Sequence, residues 1–292
     1  MTVLHVRHRT EYRYRRPVRL GEHRLMSRPR DSHDLRLLDT NLTVFPAPSE
    51  TRWMHDVFGN SIAVSQFADE TDHLVFDSSF RAEHYPLPPQ TIWIEPYALT
   101  LPFSYDAADI LDLGCTKERQ HPDEEHLIDA WSRGILEEST DRNTLDVVIA
   151  MAKAIKRGFA YRYREEAGVQ SPEQTLRLAS GSCRDFAVFM MEAVRSIGLA
   201  ARFVSGYLYD EKMIGASGGL VGSGSTHAWV QVYLPGAGWV EFDPTNALIG
   251  GHNLIRIAVA RDARQAAPLV GSFTGAADDF ISMQVSVEVT AE

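Results

Sequence analysis

Gly181-Ser182-Cys183-Arg184-Asp185-Phe186-Ala187 is the stretch on which the reading of this chain turns. Gly181-Ser182 interrupts the segment before it. From Arg184 to Ile197, the residues Phe186, Phe189, Met190, Ala193, Val194 and Ile197 then recur at helical spacing until Gly198 stops the run. Cys183 therefore falls in the first turn of a helix. There the unpaired N–H groups and the positive end of the dipole favour a thiolate, and the same amides can hold an oxyanion. Position alone is a weak argument, because a single cysteine before a helix is most often an inert apolar residue.

Two downstream segments change the balance. His227 lies 44 residues after Cys183, and Asp243 lies 16 residues after His227. Ala228, Val230, Val232 and Leu234 alternate with His227, Trp229, Gln231 and Tyr233, while Val240 and Phe242 alternate with Trp239, Glu241 and Asp243. If both apolar sets face one core, His227 and Asp243 share the opposite face. A three-residue loop at Pro235-Gly236-Ala237 puts Asp243 opposite Trp229 and diagonal to His227, roughly 7 to 8 Å away between Cα atoms. The carboxylate can then accept the imidazole N–H and fix its tautomer, leaving the other nitrogen for Cys183. The bland alternative is a polar strand pair facing solvent. Zinc is a further one, but three separate ligands without a tightly spaced pair argue against it. The chemistry expected is nucleophilic acyl transfer through Cys183, His227 and Asp243.

Composition bounds the rest. A chain of 292 residues allows about two domains, its 44% hydrophobic content supports real cores, and 23% charged residues without low-complexity tracts leave little room for disorder. A net charge of -10 argues against nucleic acid as a partner. The basic runs Arg13-Tyr14-Arg15-Arg16 and Arg28-Pro29-Arg30 read as solvated strand edges and turns. Two cysteines, Cys115 and Cys183, suit a reducing compartment better than a disulfide framework. The N-terminus lacks the apolar stretch of a signal peptide, and no run approaches the roughly 18 apolar residues of a membrane span. A soluble, cytoplasmic protein without a membrane partner is expected.

Period-two alternation over residues 3 to 16, with further strand-like runs at Asp39 to Phe45, Glu50 to Val57, Ser61 to Gln66 and His73 to Tyr85, predicts an antiparallel β-sandwich or barrel of about 85 to 100 residues. Gly59-Asn60 marks a hairpin. Pro86-Leu87-Pro88-Pro89 ends that region, and Tyr97 to Asp123, poor in periodic apolar residues, reads as a connection. Helices are expected after Pro122, from about Asn143 to Lys156, and after the N-cap Ser171 with Pro172 at the first helical position. Strands are expected at Ala200 to Tyr209, Thr226 to Leu234, Trp239 to Asp243, Ile255 to Ala260 and Phe280 to Thr290. The glycine-rich stretch Gly215 to Gly224 lacks the Gly-Lys-Ser/Thr of a phosphate loop and reads as a mobile loop or lid beside His227.

These residues resemble the transglutaminase-like superfamily, in particular the bacterial transglutaminase-like cysteine proteases. The likeness runs through Gly168 to Leu176, Gly181 to Ala187, Ala200 to Leu208, His227-Ala228-Trp229 and Pro235 to Thr245. Tyr14, Pro17-Val18 and Arg28-Pro29-Arg30 are similar to that family's accessory β domain. The resemblance implies an α+β fold: an N-terminal β-sandwich-like domain over residues 1–100, then a papain-like transglutaminase core over residues 101–292. It places the nucleophile on Cys183, the base on His227 and the third member on Asp243, and it implies an oxyanion-hole side chain at Tyr161 or Tyr163. Near the C-terminus, a Gly-Arg-Asp-Tyr-like sequence of the family is replaced here by Ala260-Arg261-Asp262-Ala263-Arg264. The function expected is amide or peptide hydrolysis through an acyl-enzyme, with no cofactor and no metal; no acidic cluster reads as a calcium loop. A protein-crosslinking transglutaminase and a non-catalytic binding module on the same fold are the alternatives.

Overall fold

The structure is a computed structural model describing residues 2–86, 91–164, 166, 168–210, 220–222 and 224–292. The alternating N-terminal pattern folds as expected into two antiparallel sheets. Strands β1 (Thr2–Leu20), β6 (Glu70–His84) and β3 (Leu35–Phe45) form one; β2 (His23–Arg28), β5 (Ser61–Gln66) and β4 (Glu50–His55) form the other. Tyr14, Val18, Leu74 and Phe76 from the first pack against Leu25 and Ala63 from the second, closing a small apolar core between them. The hairpin marked by Gly59-Asn60 joins β4 to β5, with Gly59 at a φ of +75°.

The core that follows is built around one helix. α5 (Cys183–Ser196) packs against a five-stranded sheet in the order β12-β11-β10-β9-β13, with β9 (Ala201–Leu208), β10 (His227–Leu234), β11 (Gly238–Asp243), β12 (Leu248–Ile249) and β13 (Leu254–Ala260). The apolar stripe expected on α5 faces that sheet, but every residue from Asp185 to Arg195 is buried. α2 (Leu127–Glu138), α3 (Thr144–Gly158) and α4 (Pro172–Leu178) cover the rest of it. Trp131 and Phe159 meet Phe189 at ring separations of 4.9 and 5.2 Å. The charged residues this arrangement buries are paired: Glu192 takes Arg195 at 2.8 Å and Arg119 at 3.3 Å. Arg195 also donates to the carbonyls of Thr116, Ala201 and Arg261, so the altered segment after β13 is tied to the central helix.

Two expectations need correction. Tyr97 to Asp123 is not a bare connection: it contains α1 (Ala107–Leu113) and buries Leu101, Tyr105 and Leu113 in the main core. The Tyr105 hydroxyl donates to the carbonyl of Tyr233 and accepts from the amide of Ala200, each at 2.9 Å. Contacts of that kind follow no period and leave no pattern to read. The second correction concerns the split at residue 100. After the core sheet the chain returns to the β region, where β14 (Leu269–Val270) joins β2, and β15 (Phe273–Thr274) and β16 (Phe280–Ala291) pair with β1. The register runs from Leu4 opposite Ala291 to Tyr14 opposite Phe280. The first sheet thus uses both ends of the chain. Pairing across so long a sequence separation is invisible in a local pattern.

Candidate active site

The turn before α5 is held by Asp185, which is fully buried. One carboxylate oxygen accepts from the Ser182 amide and hydroxyl, both at 2.8 Å; the other accepts from the Gln170 amide at 2.7 Å and from Arg164 Nη1 at 2.8 Å. Asp185 therefore ties the helix start to the loop before it, as the charge at the positive end of a dipole favours. Gly181 is required there, since a Cβ would lie 2.8 Å from that of Asp185. Two short parallel strands, β7 (Ala160–Tyr161) and β8 (Ser180–Gly181), set Tyr161 opposite Gly181 and so beside the first turn of α5.

The β10–β11 hairpin has the register its alternation predicts. Leu234 pairs with Gly238 and Val230 with Phe242, so the three-residue loop spans Pro235 to Ala237 and Asp243 falls opposite Trp229. His227 Nε2 lies 2.9 Å from Asp243 Oδ2, both side chains having no exposed surface. The same oxygen accepts from Asn246 Nδ2 at 2.9 Å, and Oδ1 accepts from the Thr245 amide at 2.8 Å. Burial alone would raise the Asp243 carboxyl, but His227, Asn246 and Thr245 hold it below its ordinary range. Burial likewise opposes charge on His227; Asp243 first and Cys183 second outweigh it and raise the imidazole well above its ordinary value. Nδ1 is buried without a hydrogen-bond partner among the described residues. The sequence-predicted trio is brought together, with Asp243 on one ring nitrogen and Cys183 close to the ring.

The face carrying His227 and Asp243 is not open to solvent, as a simple polar strand pair would be. Trp229 is completely buried, stacks at 6.0 Å from the His227 ring, and clusters with Val204, Leu208, Leu254 and Val259. Phe58 of the β region packs on that cluster.

Of the two tyrosines, Tyr163 is 74% exposed, whereas Tyr161 is half-buried. The Tyr161 hydroxyl is pushed up to about 12, first by burial and next by its electrostatic interaction with Cys183. It remains a neutral donor beside the thiol. Asn246 is the neighbour that sequence reasoning passed over. Besides Asp243, its side chain accepts from the Val221 amide at 2.9 Å and donates to the Val221 carbonyl at 3.1 Å. It thereby pins the residue before Gly222, where a Cβ would lie 2.7 Å from His227 Nδ1. The Asp243-Pro244-Thr245-Asn246 turn, with its terminal amide side chain, was the available clue. Residues 211–219 and 223, most of the glycine-rich stretch read as a lid, lie outside the described residues. Cys115 is a free, exposed thiol. Asp123, His126 and Asp129 cluster closely enough for a metal, but Arg119 bridges both carboxylates. No helix among the described residues is long and apolar enough to cross a membrane.

Residues 4–83 match the family described as the bacterial transglutaminase-like N-terminal region, and residues 129–244 match the transglutaminase-like superfamily. The chain belongs to that superfamily. It is 28% identical over 296 residues to an uncharacterized protein of Mycobacterium tuberculosis, covering 97% of this chain and 91% of the relative. Over 66 residues, 23% of this chain and 10% of the relative, it is 38% identical to a protein-glutamine gamma-glutamyltransferase of Pseudomonas aeruginosa. Its fold is that of a solved Cytophaga hutchinsonii protein named "Putative Cysteine Protease", with a TM-score of 0.72 at 19% identity over 99% of this chain and 90% of the other.

Proposed function

We propose that this protein is a thiol-dependent acyl-transfer enzyme that hydrolyses amide or peptide bonds. The observation that carries the reading is His227, buried between the Asp243 carboxylate and Cys183 with Nδ1 uncommitted. In the proposed reaction Cys183 acts as the thiolate, beside the imidazolium of His227. The thiolate attacks the carbonyl carbon. The oxyanion that forms is met by the first-turn amides of α5, which have no intrahelical acceptor, and by the Tyr161 hydroxyl. Collapse of this intermediate breaks the C–N bond, and the leaving amine takes the proton from His227 Nδ1. Water then attacks the thioester, gives its proton to the same nitrogen and releases the acid, and Sγ departs as thiolate. Water needs no second binding site, which is why hydrolysis is favoured over transfer to an amine.

The test is the pH dependence of Cys183 alkylation by iodoacetamide in Cys115→Ser protein, with and without His227→Ala. Rapid reaction below pH 7 that collapses with His227→Ala supports the reading. Slow reaction with a midpoint near the ordinary thiol value of about 8.5, indifferent to His227, overturns it and favours a binding module. Peptide and amide substrates offered with and without an amine acceptor then separate hydrolysis from crosslinking.

A further inference from the structure

A cleft of about 620 Å3 separates the β region from the core sheet, well within the range of roughly 300–1,000 Å3 seen for ligand sites. One wall is the polar face of the β10–β11 hairpin, beyond Glu241 from the triad; another is Trp93, whose ring lies where a Cβ on Gly236 would sit. Ionised groups inside it are unevenly committed. Glu241 accepts from Trp229, from Gln231 at 2.7 Å and from Arg256 at 2.7 Å. Asp34 takes the other side of Arg256 at 3.3 Å. Those two carboxylates share the one cation, Arg256.

Arg202 and Arg30 are not so matched. Arg202 lies with its guanidinium carbon 4.1 Å from the centroid of the Trp239 ring, and Nε donates to Gln231 at 2.6 Å. Among the described residues Arg30 donates only to the Phe58 carbonyl, at 3.2 Å. Neither forms an ion pair among the described residues, so these two guanidiniums of the lining have no anionic acceptor there. Burial pulls Arg202 down to about 10; Glu241 works against that, while the like charges of Arg256 and Arg30 add to it. A guanidinium held in this way, rigid on an aromatic face and close to a second one, is built to take a planar anion by its fork. Among the described lining residues the remaining carboxylate is Asp31, exposed at the rim and accepting from the Leu37 amide. Phe58, Ile92 and the half-exposed Trp93 supply an apolar wall.

We propose that this cleft binds a small organic carboxylate, its carboxylate on Arg202 and Arg30 and its apolar body against Trp93 and Ile92. The guanidiniums of Arg30, Arg202 and Arg256 are balanced by the carboxylates of Asp31, Asp34 and Glu241, a neutral total that disfavours the double charge of phosphate, while the apolar wall favours an organic body.

Isothermal titration of the full chain with benzoate, acetate, inorganic phosphate and neutral benzamide tests it. Expected are saturable 1:1 binding of benzoate, weaker binding of acetate, no saturable binding of benzamide, and at least tenfold weaker benzoate binding in Arg202→Met. Arg30→Gln, at an exposed position, repeats the test should Arg202→Met misfold. Benzoate binding unchanged in Arg30→Gln, preference for phosphate over benzoate, or no saturable benzoate binding at millimolar concentration overturns the proposal. The readout is binding, so it stands or fails separately from turnover at Cys183.

Discussion

Replacing Asp243 with asparagine changes one atom and should disable the base. The native carboxylate accepts three hydrogen bonds: His227 and Asn246 on one oxygen, the Thr245 amide on the other. Asparagine has one acceptor and one donor to offer those places. If its oxygen stays with Thr245, its NH2 meets the Asn246 NH2 and forces His227 Nε2 to become an acceptor. The ring proton then sits on Nδ1, and the nitrogen that should serve Cys183 cannot take a proton. If the amide flips, its NH2 collides with the Thr245 N–H in a site with no exposed surface. Either way the leading cause of the raised His227 pKa is gone, and burial is left to lower it. A charge-assisted hydrogen bond is worth about 1.5–3 kcal/mol, so Cys183 alkylation near pH 6 should fall about 10- to 150-fold. The assay is mass-spectrometric timing of iodoacetamide addition in Cys115→Ser protein, with near-UV circular dichroism as the check on folding. A natively folded Asp243→Asn protein that alkylates at the parent rate at pH 6 would refute the reasoning.

Other expectations are equally direct. Asp185→Ala leaves the Arg164 guanidinium and the Ser182 and Gln170 amides without their acceptor, so urea unfolding should show a loss of about 3–5 kcal/mol; a loss under 1 kcal/mol contradicts the picture of the helix start. His8, buried against the Tyr207 hydroxyl at 2.8 Å, is lowered by burial to about 4. Its stabilising effect is complete above pH 6.5 and is lost as pH falls from 6.5 towards 4, to the extent of about 3 kcal/mol. His8→Gln should flatten that part of the stability profile, which denaturation midpoints between pH 4 and 7 will show. Gly222→Ala puts a Cβ against His227 Nδ1 at a φ of +98°, so alkylation should slow and stability should fall by roughly 1–3 kcal/mol; unchanged kinetics would remove Val221–Gly222 from the neighbourhood of the thiol. A chain ending at Asp279 removes one of the two strands paired with β1, from Leu4 to Tyr14, and should lose cooperative unfolding of the β region, as a denaturant titration will reveal.

What the sequence made legible was whatever repeats locally. The alternation of Ala228, Val230, Val232 and Leu234 against His227, Trp229 and Gln231 gave the hairpin register to the residue, because a slip of one would have turned His227 into the helix-facing core. Ser171 is the side-chain cap expected, accepting from the Gln174 amide at 3.1 Å, and Asn143, expected only as the start of its helix, caps it by accepting from the Asp146 amide at 3.1 Å. Non-local arrangement stayed hidden. Nothing near Phe280 says that its partner is Tyr14, and nothing near Tyr161 says that Gly181 lies beside it. Asn246 escaped notice because its role requires three separated segments, at 221, 227 and 243, to be already assembled.

The far face of the β10–β11 hairpin explains what the β region does for a site to which it contributes no member of the trio. Left bare, His227 and Asp243 would form a solvated ion pair, worth about 0–1 kcal/mol and unable to hold an imidazole far from its ordinary pKa. Phe58 reaches the Trp229 cluster behind the imidazole instead. Asn60, 2% exposed, fastens the same loop to the edge strand β13, accepting from the Val259 amide at 2.9 Å and donating to its carbonyl at 2.7 Å. His8 on β1 meets Tyr207 on β9 one layer away. Those contacts keep water from the back of the hairpin, so the charge on Asp243 acts across a medium of low dielectric and its pull on His227 is correspondingly strong. The strand β16 that completes the β region comes from beyond the core, so the cover cannot be assembled before the site it covers has been synthesised. The β region is thus completed by a strand from beyond the core, and its loop at Phe58 and Asn60 covers the sheet that carries His227 and Asp243.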